Sequence, residues 1–180
     1  MASAFTHAIA GLAIATAFRP RVSSPRFWVL SAVVAALPDI DGIGFWAGIP
    51  YESLFGHRGF THSLFFAAIV AFAAMLAFRA RAFDGDRKRL WTCFFLGTAS
   101  HGFLDALTNG GGGVAFFAPF ANERHFLPWR PILVSPMSVR RFFTERGLRI
   151  LATEIVWVWI PAAILATAMR TARRRKNELP

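Results

Sequence analysis

Five apolar stretches of near-spanning length, at 2–18, 27–49, 61–78, 90–108 and 149–169, constrain this chain of 180 residues more than anything else in it. A bilayer asks for about 20 apolar residues per helix and admits about 17, so the first and third are short but sufficient. Charged residues make up 17% of the chain, against about 25% in a soluble domain. The expected fold is all-α: a polytopic membrane helix bundle of about five transmembrane helices. It would form a single membrane-embedded domain over 1–180, with an outer interfacial or re-entrant segment at 109–148. The first stretch lacks the basic leading region of a secretory signal, and Thr6 and His7 interrupt it, so it is read as a helix of the bundle. The single cysteine, Cys93, excludes an intramolecular disulfide and a cysteine-based zinc site.

The connectors orient the bundle. RPRVSSPR (19–26), RARAFDGDRKR (79–89) and the tail RTARRRK (170–176) are basic, and with five spans they share one side. By the excess of positive charge on cytoplasmic loops, the C-terminus is cytoplasmic, while the 50–60 loop and the 109–148 segment face outward. The net charge of +10 is accounted for in this way, and no nucleic-acid partner is expected. Arg124, Arg130, Arg140, Arg141 and Arg146 in the outer segment run against the rule, from which a segment this long is partly exempt.

The ionisable residues then fall at a common depth. At about 1.5 Å per residue, Asp39 and Asp41 stand roughly 18 and 21 Å above the inner end of the second span. His101 and Asp105 stand roughly 16 and 22 Å above the inner end of the fourth. His7 lies within about 8 Å of the outer end of the first span, and His62 at the outer end of the third. Charged side chains at such depths are costly and mark functional sites.

Each motif alone has a plainer reading. His101 and Asp105, four apart, share a helix face, as two metal ligands do and as a histidine capped by a carboxylate does. In LPDIDG (37–42) the two aspartates point about 200° apart on a regular α-helix. Both serve one site only if Pro38 and Gly42 break the helix; otherwise one is structural. HRGFTHS (57–63) permits a turn at Gly59, with Thr61 as the N-cap of the third helix, or it contacts headgroups. Together, His7, Asp39, Asp41, His57, His62, His101 and Asp105 make a histidine–aspartate donor set without cysteine. That set suits zinc, with manganese also compatible. Seven donors allow one ion with supporting residues, or two.

The chain resembles the YdjM-like family of membrane-bound metal-dependent hydrolases of bacterial inner membranes. The resemblance rests on His7, LPDID (37–41), HRGFTHS (57–63), HGFLDALTNGG (101–111) and APF…FLPWRPILVSP (118–136). It implies metal-dependent hydrolysis in the bacterial inner (cytoplasmic) membrane and leaves the substrate open. The order His…Asp…His…HxxxD is also similar to the first ligands of zinc-dependent phospholipase C and the P1-type nucleases. By that likeness Asp105 would bridge two metals, with His101, Asp39 or Asp41, and His57 or His62 at one and His7 near the other. The downstream HxxxE pair of those enzymes is missing here, which limits any analogous site to two metals.

The expected function is hydrolysis by a metal-activated water, with Asp39, Asp41 and Asp105 as catalytic carboxylates. The depth favours a membrane lipid or lipid-linked phosphoester as substrate. Arg58, Arg124 and Arg130 lie on the outer side, where arginine forks suit phosphate oxygens and also headgroups. Thr61, Ser63, Thr108 and Glu154 are expected to support the ligands, with Glu154 alternatively an arginine counter-ion. A metal-binding structural protein or a divalent-metal transporter would use the same donors. The purely apolar inner halves of the spans speak against a transporter.

Overall fold

The structure, a computed structural model, describes residues 1–18, 24–78, 87–136 and 139–178. Residues 19–23 and 79–86 of the basic connectors lie outside the described residues. The remainder is helical. Helix α1 runs Ala4–Phe18, and α2 runs Pro25–Ala36 straight into a 3₁₀ helix, Leu37–Phe45. A short 3₁₀ turn, Phe60–His62, leads into α3 (Leu64–Ala77), followed by α4 (Arg87–Ala106). After an irregular segment come α5 (Val139–Phe142) and α6 (Glu145–Glu154). A π-helical turn, Ile155–Trp159, joins α6 to α7 (Ile160–Glu178). No β-strand forms among the described residues; Thr108 with Ile132 and Val114 with His125 make isolated bridges.

Among the described residues, two helical runs, Pro25–Phe45 and Glu145–Arg175, are long and apolar enough to cross a membrane; Ala4–Phe18 and Leu64–Ala77 are apolar but shorter. The last helix begins at Glu145, four residues before the expected span and inside the expected 109–148 segment. Its first turn is charged and held by an Arg149–Glu145 pair at 2.6 Å. Such i,i+4 pairs stabilise helix while hiding it from a hydropathy reading.

Helices α1–α4 pack around one another, and α7 leans on α1. Phe27, Val34, Ala71, Leu90, Cys93 and Phe94 form the apolar core. Two glycines set the spacing near the site. A Cβ on Gly11 would stand 2.5 Å from Ala35 Cβ, and one on Gly102 would stand 2.8 Å from the His62 carbonyl oxygen. Their absence lets α1 close on α2, and α4 on the His62 turn. The outer surface is apolar instead of charged: Val29, Val33, Phe72, Leu76 and Ile164 are all exposed, as they would be against lipid.

Candidate metal centre

The site begins where α2 changes winding. Pro38 brings no N–H, and the chain beyond Ala36 tightens to about three residues per turn. Two residues apart on an α-helix differ by about 200°, and on a 3₁₀ helix by about 240°. The angle between Asp39 and Asp41 thus narrows from about 160° to about 120°, and both carboxylates reach inward. Asp39 Oδ1 lies 3.2 Å from His101 Nε2 and 3.7 Å from His62 Nε2. Asp41 meets His57 Nδ1 at 2.6 Å and His62 Nδ1 at 3.1 Å.

HRGFTHS supplies the facing wall. Arg58 adopts φ 62°, a left-handed conformation costly for a bulky side chain. There its N–H reaches Asp41 Oδ2 at 3.1 Å. Thr61, expected to cap α3, does not. Ser63 is the cap, accepting from the Phe66 N–H at 3.0 Å, while the Thr61 hydroxyl donates to Asp41 Oδ2 at 2.5 Å. His62 accordingly closes the 3₁₀ turn and precedes the first turn of α3. The buried Asp41 carboxylate is the stronger acceptor available to Thr61.

The partners of the two central histidines fix their tautomers. His101 Nδ1 lies 2.8 Å from the Ala35 carbonyl oxygen, which can only accept, so this nitrogen carries the proton. His62 Nδ1 faces Asp41 Oδ2 and, at 3.0 Å, a Thr61 oxygen whose own proton goes to Asp41. It too must donate. Both Nε2 atoms therefore turn inward, His62 Nε2 to 3.5 Å from Asp105 Oδ2. Asp39 Oδ2, Asp105 Oδ2 and His62 Nε2 are buried without a hydrogen-bond partner. Acceptor faces acceptor here, and an inward Nε2 among carboxylates takes either a second proton or a cation.

Among the described residues, two four-residue groups have donor atoms close enough to share an ion: Asp39, His62, His101 and Asp105; and Asp39, Asp41, His57 and His62. Their donors lie within 4.8 Å of one another, and the buried cluster can hold a metal ion. His7 stands beside the first and belongs to neither. Its Nε2 is 3.4 Å from Asp105 Oδ1, and its ring stacks on His101 with centroids 3.5 Å apart.

The remaining expected residues divide. Arg58 is buried, with Nε 2.9 Å from Asp105 Oδ2 and its other nitrogens on Thr108 Oγ1 (2.9 Å) and the Gly110 carbonyl (2.8 Å). Arg124 donates to the carbonyls of His57 and Tyr51 at 2.8 and 2.7 Å. Neither guanidinium faces outward as a substrate contact would; irregular chain leaves carbonyls that need donors, and these two arginines supply them. Arg130 is exposed over the Phe126 ring. Thr108 supports Asp105 through Arg58 and by donating to the Asp105 carbonyl at 2.7 Å. Ser63 touches no donor of the cluster.

Glu154 is neither a partner of the ligands nor an arginine counter-ion among the described residues. It accepts from Ser3 N–H (2.5 Å), Ser3 Oγ (2.6 Å) and Thr6 Oγ1 (2.7 Å). The Ala35 carbonyl was not foreseen as part of the site. Its signal is Pro38, since the N–H that a 3₁₀ winding would bring to Ala35 is the one proline lacks.

The profile of the YdjM inner membrane protein family matches residues 1–177. Inner membrane protein YbcI of Escherichia coli (strain K12) is 37% identical over 174 residues, which cover 97% of this chain and 100% of that protein. No solved structure matches the chain.

Proposed function

The chain belongs to the YdjM inner membrane protein family, and from that premise we propose that it is a metal-dependent hydrolase of the inner membrane acting on a lipid or lipid-linked phosphoester. The observation that carries this reading is the pair of buried acceptors Asp39 Oδ2 and His62 Nε2, which have no hydrogen-bond partner and lie where His101 Nε2 and the Arg58-paired Asp105 Oδ2 also point. Asp39, His62, His101 and Asp105 would hold one divalent cation, zinc or manganese by donor type. Such an ion acts as a Lewis acid toward a phosphoryl oxygen and lowers the pKa of a water it holds. Asp39, Asp41 and Asp105 are three carboxylates beside the Arg58 guanidinium and the Met1 amine, an excess of negative charge that a divalent cation would offset.

The other residues have supporting tasks. Both oxygens of Asp41 are engaged, by His57 and by Thr61, His62 and the Arg58 N–H, so Asp41 orients His62 instead of moving protons. Histidine ligands are commonly fixed in this way by a carboxylate behind them. Arg58 holds Asp105, and the segment after α4 holds Arg58. Five helices, α1, α2 with its 3₁₀ extension, α3, α4 and α6–α7, would cross the bilayer. The C-terminal arginines would then be cytoplasmic and the centre in the outer half.

The reading is tested with purified protein on labelled phospholipids and phosphorylated isoprenoids, with and without chelator. The expected result is turnover that chelator abolishes and added zinc or manganese restores. No turnover of either class, or accumulation of metal inside proteoliposomes, would overturn it.

A further inference from the structure

The three-residue winding of Leu37–Phe45 sorts its side chains into three ridges, because residues i and i+3 eclipse on a 3₁₀ helix. Pro38 and Asp41 form a buried ridge. Ile40 and Ile43 form an outward ridge, 52% and 57% exposed, and Trp46 continues it at 90%. Between these lie Asp39 and Gly42, both half-buried. Of the four donors of the proposed centre, His62, His101 and Asp105 are enclosed, while the Asp39 side chain retains 12% exposure. Asp39 is therefore where the centre comes nearest the surface, although its Oδ2 is itself buried. One 3₁₀ turn further along the same ridge stands Gly42, which has no side chain to cover it.

On the 3₁₀ helix itself the flanks of that position are apolar. Ile40, Ile43 and Trp46 flank it on the helix itself, and Phe45, at the end of the Asp39 ridge, is exposed as well. Phe55, Phe117, Phe120 and Trp129 are exposed on the irregular segments at this end of the bundle. Tryptophan and aromatic side chains in such numbers sit at membrane–water interfaces. A mouth serving a dissolved ion or a water-soluble ester would be rimmed by polar groups.

We infer that the donor cluster opens to the bilayer over Gly42, and that its ligand is a membrane-resident amphiphile whose polar group passes between the Ile40–Ile43–Trp46 ridge and Asp39. This rests on the proposed metal centre for its destination, but the lipid-facing ridge stands on its own exposure pattern. The glycine keeps the passage open, and the isoleucines accept the apolar part of the molecule.

Two measurements on the full chain in phospholipid vesicles test this without a known substrate. In the first, vesicles contain a phospholipid with a photoactivatable acyl chain, and labelled peptides are mapped. Label on Ile40, Ile43 or Trp46 is expected; labelling confined to other helices overturns the inference. In the second, the zinc-loaded protein is stripped by phenanthroline, which partitions into membranes, or by EDTA, which does not. Phenanthroline should act faster, and Gly42→Leu should slow it about tenfold, equal to 1.36 kcal/mol of barrier, with metal content unchanged. Gly42→Ala, with a smaller side chain, should fall between and controls for folding. Equal stripping by both chelators, or no effect of Gly42→Leu, overturns the route while leaving the metal centre intact. Failure to bind zinc at all removes the centre and the route together, and the ridge labelling then reports only on lipid contact.

Discussion

Asp105 and Glu154 are both buried carboxylates that meet the start of α1, and their partners could hardly differ more. Glu154 is surrounded by donors: the Ser3 N–H, the Ser3 hydroxyl and the Thr6 hydroxyl, with Trp159 Nε1 donating in turn to Thr6 at 2.7 Å. It is a cap supplied from another helix, satisfying an N–H that α1 cannot satisfy itself and placing negative charge at its N-terminal end. Asp105 accepts from the Ala2 N–H at 2.8 Å through Oδ1. Its Oδ2, however, turns toward Arg58 and the lone-pair side of His62 and finds no aligned donor. A buried carboxylate enclosed by donors is architecture. One whose second oxygen lies between an arginine at 2.9 Å and a histidine nitrogen at 3.5 Å has a further acceptor to share a cation with.

Four changes press on that difference. Arg58→Ala should have the largest effect, since it strands Asp105 in the interior without its cation. Breaking a buried pair in this way costs about 3–5 kcal/mol, to be read as a lowered unfolding midpoint in detergent. Glu154→Ala should cost about 1–3 kcal/mol by leaving the Ser3 and Thr6 donors unpaired, with metal content unchanged. A Glu154→Ala protein that lost its metal would erase the distinction drawn here. Asp41→Asn should weaken metal binding about 10- to 100-fold, the usual effect of removing a carboxylate behind a histidine ligand; competition with a chromophoric chelator reads it. Ser63→Ala, which removes the cap of α3 and the hydroxyl's bond to the Phe60 carbonyl, should cost about 1 kcal/mol and leave metal affinity alone.

Much of the helical layout was legible in hydropathy, because an apolar run of the right length leaves few other folds open to it. The gathering of histidines and aspartates was legible too, from depth along helices of known rise. What escaped were the details fixed by distant partners. Thr61 looked like a cap because caps are read locally, yet its partner, Asp41, lies 20 residues away. The burial of Arg58 escaped as well, because Thr108 and Gly110, which hold it, lie 50 and 52 residues further on, just after α4. The tautomer of His101 depends on a backbone carbonyl 66 residues earlier. Only the tight winding after Pro38, which lets Asp39 and Asp41 both turn inward, left a trace in the local sequence.

Metal analysis of the purified protein bears most directly on the central claim. Wild type and Glu154→Gln should each carry about one divalent ion per chain, as a closed four-donor site would, and His101→Ala and Asp105→Asn should carry little or none. Metal-free wild type, or equal metal in all four proteins, would contradict the account.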